Sequence, residues 1–522
     1  MMDIFKSLTL GVKFTKNKIK RQLPVEIVKE EENDVEIQEI NPKVKRKKLS
    51  TEFMKQKENE RVNKIRKENR INVKGDTEKE TPIESFDELF TRFTIDETLK
   101  RNLLSLNYKK PSVVQMQVVP LMLKNKQVKV CAQTGSGKTL AFILPLIQNL
   151  IEMRNKNPKS DDILAVILLP TRELAQQILS VATRLCHETN VRTNIITSTN
   201  ESHMSNFHKK KTNILISTPL KMVHFIKNSK MSLKSVEWIV IDEVDKFFEE
   251  SNQTFQQDLD VILTECSNPK RKFALFSATT TKTMTAWVHE KLSSGFVTVN
   301  ISPNMPVSSV EQELRYVGTE SSKLMELREI IRQGIQPPIL IFVQSKDRAK
   351  QLFSELMYDG LNIDIIHSDR TGKERNEIYK KFREGKIWIL ICTELMSRGI
   401  DFQNVSLVVN FDLPTSLISY VHKIGRAGRA NKKGKAITFY TNDDNKIGLL
   451  RDVAKLIKSS GSKVEPFLLQ LKKSSKKERD ALLKKAPKRK NISTQIVSKS
   501  KKSKFGKKKK KVPKVVDADD ED

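Results

Sequence analysis

The stretch Val128-Lys-Val-Cys-Ala-Gln-Thr-Gly-Ser-Gly-Lys-Thr139 decides the fold. Residues 128–132 form a short apolar, β-branched run of the kind that builds a buried strand. Gly135 and Gly137 let backbone N–H groups turn inward around a phosphate, and a helical run begins at Lys138, where a helix N-terminus favours an anion. Lys138 suits the β- and γ-phosphates of a nucleoside triphosphate, and the Thr139 hydroxyl suits a place on Mg2+. Ala132 stands where such loops usually begin with glycine, and Gln133, Thr134 and Ser136 complete the turn. Strand, loop and helix in this order argue against a chance Gly-Ser-Gly-Lys-Thr in a linker.

Outward from that stretch the same alternation continues. Short apolar runs at 128–132, 163–169, 194–198, 213–217, 238–242 and 273–277 alternate with amphipathic helical patterns. Residues 302–309, rich in proline and serine, interrupt the series. A second series follows at 339–343, 363–367, 388–393, 406–411 and 436–440. Continuous rather than alternating apolarity fits parallel sheets covered by helices on both faces. The expectation is two tandem α/β domains, at 82–302 and 311–460, joined by a linker at 303–310. A charged extension at 1–81 precedes them, and a Lys-rich tail with an acidic end, 461–522, follows.

The chain has 522 residues, too many for one core, and 95 Lys+Arg against 63 Asp+Glu, for a formal net charge of +32. Of this, +6 lies in residues 1–80, +13 in 81–470 and +13 in 471–522. Such a balance implies polyanionic partners, usually nucleic acid. The basic tail carries few aromatic or branched residues and is expected to lack fixed structure until it meets a partner. Apolar runs are far too short for a membrane span, and no secretory signal pattern opens the chain. Cys131, Cys186, Cys266 and Cys392 are isolated, which suggests neither a zinc site nor a disulfide framework.

Two further stretches carry chemistry. Trp238-Ile-Val-Ile-Asp-Glu-Val-Asp245 is an apolar run ending in three carboxylates. At the carboxyl edge of a parallel strand, Asp242 is placed to hold Mg2+ through water and Glu243 to polarise an attacking water as general base. In His422-Lys-Ile-Gly-Arg-Ala-Gly-Arg429, glycine spacers crowd the backbone around Arg426 and Arg429. An arginine that reaches a γ-phosphate only when two domains meet stabilises transition-state charge and couples closure to hydrolysis. Thr171, Arg172, Thr218 and Thr393 are donors at strand ends, suited to phosphates rather than base edges.

Taken together these motifs resemble the DEAD-box ATP-dependent RNA helicases, over residues 86–445 and in that family's order. Asn107-Tyr-Lys-Lys-Pro-Ser-Val-Val-Gln115 looks like the Q motif, in which Tyr108 and Gln115 would bracket adenine, with Phe86 or Phe90 as the upstream aromatic. Pro170-Thr-Arg-Glu-Leu-Ala175 and Thr218-Pro219 resemble first-domain RNA-backbone motifs. Ser277-Ala-Thr279 resembles the motif that couples hydrolysis to unwinding, a role the resemblance extends to Asp245 and His422. In the second half, Phe342-Val-Gln-Ser345, which contains Gln344, and residues 367–375, which end in Arg375, align with RNA contacts. Thr393 and Arg398-Gly-Ile-Asp401 resemble the segment that touches RNA and, through Asp401, the nucleotide ribose.

The sequence departs from the family pattern at four places. Val244 replaces the alanine of the name-giving tetrad, Lys423 stands at a usual arginine, and Gly372 replaces a usual glutamine. The usual paired glycines are missing near Thr197 and Glu201.

The resemblance implies two RecA-like domains, ATP and Mg2+ as cofactors, single-stranded RNA held across the cleft, and duplex unwinding coupled to ATP hydrolysis in a monomer. An ATP-dependent RNA clamp or assembly scaffold that seldom unwinds is the alternative, and a DNA helicase is disfavoured by the Q motif and Asp245. Gln115-Met-Gln117, the N-terminal extension and the Lys-rich tail are similar to helicases of small-ribosomal-subunit assembly. That similarity implies pre-ribosomal RNA as substrate, ribosome-assembly proteins as partners, and a place in the nucleus and nucleolus.

Overall fold

The computed structural model describes residues 42–75, 80–158, 162–196, 211–228, 232–248, 253–292, 295–301, 310–334, 336–393, 402, 405–428, 434–444, 449–472, 475, 489 and 491–492. Arg398, Asp401, Arg429 and residues 197–201 lie outside them.

The first sheet contains β1 (Ile71–Lys74), β2 (Val128–Cys131), β3 (Ala165–Leu168), β4 (Thr193–Ile195), β5 (Ile214–Ser217), β6 (Trp238–Ile241), β7 (Lys272–Ser277) and β8 (Val297–Ile301). Their order is β1-β8-β2-β7-β6-β3-β5-β4. All pairings are parallel except β1 with β8. The second sheet contains β9 (Val310–Tyr316), β10 (Ile339–Val343), β11 (Ile363–Ile366), β12 (Ile389–Thr393), β13 (Leu407–Asn410) and β14 (Gly434–Tyr440). It is parallel throughout, in the order β11-β12-β10-β13-β14-β9.

The central strands divide their side chains between two apolar layers. Ala165 and Ile167 of β3 enter one core and Val166 and Leu168 the other. Leu340 and Phe342 of β10 likewise face one layer, and Ile339, Ile341 and Val343 its counterpart. This is the period-two burial of a sheet covered on both faces, each fully buried aliphatic contributing about 1.5–3 kcal/mol. Among the described residues no helix is long and apolar enough to cross a membrane.

The sheets extend beyond the expected strands. β1 joins the first sheet from within the segment read as a charged extension, and β8 and β9 flank residues 302–309. The tail also contributes: Ile492 is buried in a second-domain core and the Arg489 side chain is 5% exposed. There Arg489 meets the buried carboxylates of Glu320 and Asp444.

A candidate nucleotide and RNA site at the carboxyl strand edges

Parallel strands bring their C-terminal ends to one edge, which is where open α/β sheets bind ligands. The stretch 132–139 follows β2, Ser277 ends β7, Asp242 follows β6, Pro170 and Thr171 follow β3, and Thr218 follows β5. Adjacent strands place these segments side by side. Ala132 N–H donates to the Ser277 carbonyl at 3.0 Å, and Asp242 N–H to the Leu168 carbonyl at 3.1 Å.

The glycine loop has the shape its sequence requires. Gly135 and Gly137 adopt φ of 76° and 92°, left-handed values that glycine takes without steric cost. A Cβ on Gly137 would lie 2.6 Å from both Gln115 Nε2 and Ser112 Oγ. Gln115 Nε2 donates to the Gly137 carbonyl at 3.0 Å and its Oε1 accepts from Ser112 N–H at 2.9 Å, so this buried amide braces the loop. Lys138 Nζ donates to the carbonyls of Ala132, at 2.7 Å, and Gln133, at 3.0 Å, spanning the loop from within. Ser136 Oγ is buried without a partner among the described residues, and Thr139 is half-buried at the start of the helix Lys138–Lys156. Tyr108 is half-buried against the first core. Phe86 is buried in that core, and Phe90 lies under Lys100 Nζ at 5.2 Å.

The acidic segment turns sharply after β6. Glu243 has φ of 51°, a left-handed conformation that costs a non-glycine residue about 1–3 kcal/mol and is characteristic of functional turns. Asp242 Oδ1 accepts from Glu243 N–H at 2.8 Å, while burial raises the Asp242 acid to about 7 against the opposing pull of Lys138. Glu243 Oε2 is buried with no partner among the described residues. A hydroxyl, a carboxylate and these orphaned oxygens around a cationic loop fit a triphosphate with a hard cation. Val244, with its two extra methyls, is fully buried beside Phe247, Phe248 and Leu275, so the core absorbs them.

Asp245 is fully buried and joins both domains: its Oδ2 accepts from Thr279 Oγ1 at 2.8 Å and lies 3.1 Å from His422 Nε2. Thr279 N–H donates to Ser277 Oγ, which donates in turn to the Thr279 carbonyl. Burial and the Lys246 charge push His422 below its ordinary value, against the opposing pull of Asp245. Arg426 is buried, its Nε 3.3 Å from the His422 carbonyl; desolvation lowers it while the Glu243 carboxylate pulls the other way. At Gly425 an added Cβ would stand 2.5 Å from Thr134 Oγ1, so the second domain's backbone closes directly onto the glycine loop.

The expected RNA contacts are spread along the same edge. Pro170 is half-buried and Arg172 exposed, but the Thr171 hydroxyl accepts from Leu174 N–H at 3.3 Å and so caps a helix. Thr218 is half-buried before the helix Pro219–Asn228. Arg375 Nη2 meets Glu173 Oε1 at 2.8 Å, an ion pair between domains that sequence reasoning missed. Thr393 ends β12, half-buried, and the Gly372 Cβ position is 4.0 Å from Arg172 Nη1. Gln344 is held by N–H donation to Asp412 Oδ2 at 2.9 Å and by accepting from Arg489 Nε at 2.9 Å. Lys423 is buried with Nζ 5.5 Å from the Phe342 ring, so its charge faces an aromatic of its own domain.

Residues 112–287 match the family described as DEAD/DEAH box helicase, and residues 322–431 that described as Helicase conserved C-terminal domain. The chain is 40% identical over 482 residues to the probable ATP-dependent RNA helicase DDX52 of Bos taurus, an alignment covering 90% of this chain and 79% of that protein. It is 35% identical over 484 residues to the ATP-dependent RNA helicase ROK1 of Meyerozyma guilliermondii, covering 91% and 87%. Among solved structures it is similar to S. cerevisiae Dbp5 bound to RNA and ADP BeF3, with a TM-score of 0.63 and 27% identity, over 73% of this chain and 95% of that one.

Proposed function

The chain belongs to the DEAD-box family of ATP-dependent RNA helicases, and from that premise we propose that it remodels pre-ribosomal RNA during small-subunit assembly in the nucleolus. It is an RNA helicase and ATP hydrolase with two RecA-like domains. Support for the ribosomal reading comes from the +19 carried by the two flanks, which gives diffuse, salt-sensitive attraction to a large RNA, and from the sequence similarity around Gln115. In this reading it acts as a monomer and meets ribosome-assembly proteins on that RNA.

Within the site, Lys138 and the loop N–H groups would hold the β- and γ-phosphates, and Tyr108 and Gln115 would bracket the adenine, as the family resemblance implies. Thr139, and Asp242 through water, would hold Mg2+, which would neutralise phosphate charge. Glu243 takes the proton from the attacking water, and Arg426, with Arg429, steadies the charge that develops on the γ-phosphate. Asp401 contacts the ribose. Asp245, Ser277, Thr279 and His422 report the state of that site to the RNA edge. There Pro170, Thr171, Arg172, Thr218, Pro219, Gln344, Arg375, Thr393 and Arg398 face the RNA backbone.

The observation that carries the helicase part of this reading is the 3.1 Å contact of His422 with Asp245, an interdomain contact beside the nucleotide edge. RNA-stimulated ATPase and strand displacement are expected in the wild type and lost in Lys138→Ala; equal turnover in both would remove the catalytic assignment. RNA retention without displacement would favour the clamp. Crosslinking to cellular RNA tests the substrate, and recovery of chiefly non-ribosomal RNA would overturn it. Nucleolar enrichment is tested with residues 493–522 deleted, since a cut before Arg489 also opens a buried ionic cluster of the second domain.

A further inference from the structure

Arg489 lies in the Lys-rich tail, outside every motif of the two domains, yet its side chain is 5% exposed. Nη1 reaches Glu320 Oε1 at 2.6 Å, Nη2 reaches Asp444 Oδ1 at 2.8 Å, and Nε donates to Gln344 Oε1 at 2.9 Å. The next described residues keep the segment in place. Asn491 Oδ1 accepts from Gln351 Nε2 at 3.4 Å, Ile492 N–H donates to Gln351 Oε1 at 3.1 Å, and the Ile492 side chain is buried.

The network holds Gln344 at both ends. Asp412, buried and ion-paired with Arg348 at 2.7 Å and Lys323 at 3.1 Å, accepts the Gln344 backbone N–H. Arg489 takes the side-chain oxygen. A guanidinium has only donors, so it fixes which end of the amide faces it, and the Gln344 NH2 must point the other way. An NH2 at the carboxyl edge of β10 offers donors to phosphate and ribose oxygens, whereas a flipped amide would offer an acceptor to an acceptor.

We propose that Arg489, supplied by the tail, is a positioning residue that sets the Gln344 amide to donate to the RNA backbone. The tail thereby completes the second domain's RNA edge, in addition to any diffuse attraction by its lysines. This rests on the reading of Gln344 as an RNA contact.

The test uses the full chain and a single-stranded RNA of mixed sequence, measuring the RNA concentration for half-maximal ATPase, kcat at saturating RNA, and KM for ATP. Arg489→Lys keeps the charge but loses the fork. It is expected to raise the RNA requirement roughly threefold to tenfold, the scale of one hydrogen bond, with kcat and KM for ATP unchanged. Gln344→Ala is expected to raise it similarly, and the double variant to be no worse than Gln344→Ala alone. If Gln344→Ala raises the requirement and Arg489→Lys does not, or if the two effects multiply, the positioning role is overturned while Gln344 stays an RNA contact. An unchanged RNA requirement in Gln344→Ala removes both. A fall in kcat by one factor in both backgrounds marks a merely structural arginine and overturns the proposal.

Discussion

His422 Nε2 lies 3.1 Å from Asp245 Oδ2, linking the helix Leu417–Ile424 of the second domain to the carboxylate that also accepts from Thr279 of the first. Three segments far apart in sequence therefore share one carboxylate oxygen. A buried hydrogen bond of this kind is costly to leave half-made, because the deserted partner keeps its desolvation penalty of about 1–3 kcal/mol. Closure of the cleft and completion of this contact are one event.

His422→Ala should lower RNA-stimulated kcat by about tenfold or more while leaving ATP binding without RNA near its wild-type level. The pH dependence has a definite sign. Burial, and then Lys246, push His422 below its ordinary value, so the unfolded chain takes up a proton there before the folded one. Stability from this site is complete above about pH 6.5 and declines as pH falls below it. Melting midpoints of wild type should thus drop further between pH 7.5 and 5.5 than those of His422→Gln; parallel drops would exclude His422 from the acid response.

Gly425→Ala tests how closely the domains approach. The added methyl would stand 2.5 Å from Thr134 Oγ1 and 3.1 Å from the Val421 carbonyl, and the second neighbour is backbone that cannot swing away. We expect kcat to fall by roughly tenfold, since an overpacked contact costs about 1–3 kcal/mol. Thr134→Ala in the same chain should restore part of it, and ATPase measurements on the four variants decide whether the clash lies there.

Much of this arrangement was legible in the sequence, because central parallel strands are buried on both faces and read as continuous apolar runs. β3, β5 and β6 do so, β2 does so apart from Lys129, and the loop after β2 needs Gly135 and Gly137 for its backbone angles. The edge strands β4 and β11 were legible as well, but β1, β8 and β9 were not. β8 alternates buried with half-buried residues, and β9 reads Val-Glu-Gln-Glu-Leu-Arg-Tyr, a pattern of charge rather than apolarity. Arg489 was hidden for a different reason: nothing in a Lys-rich run distinguishes the one guanidinium that meets three carboxylates gathered from 320, 412 and 444. Arg375 was read as an RNA contact without its partner, since Glu173 lies in the other domain.

That pair gives a third prediction. Arg375 and Glu173 are 16% and 14% exposed and 2.8 Å apart, dry enough for their attraction to exceed that of an ordinary surface pair. Glu173→Arg alone should weaken RNA-stimulated turnover by placing like charges across the cleft. Adding Arg375→Glu should recover part of it if the ion pair is what matters, and none if Arg375 serves RNA alone.

The buried ionic cluster of the second domain sets the stability of the tail's attachment. Glu320, Asp412 and Asp444 face Lys323, Arg348 and Arg489, three acids against three bases, all nearly excluded from water. A chain ending at residue 486 leaves one acid in excess and removes Ile492 from the core, whereas a chain ending at 492 keeps both. Uncovering one partner of a buried pair costs about 3–5 kcal/mol. Urea unfolding should therefore separate the two truncations by about that amount, with the longer one close to the full chain. Asp412→Asn should be as damaging as the shorter cut, because Asp412 is the acid that Lys323 and Arg348 share at 3.1 and 2.7 Å and that also carries the Gln344 backbone. Equal stability of both truncations would mean that Arg489 contributes no net energy to the cluster it enters, and that the acids there are satisfied by Lys323 and Arg348 alone.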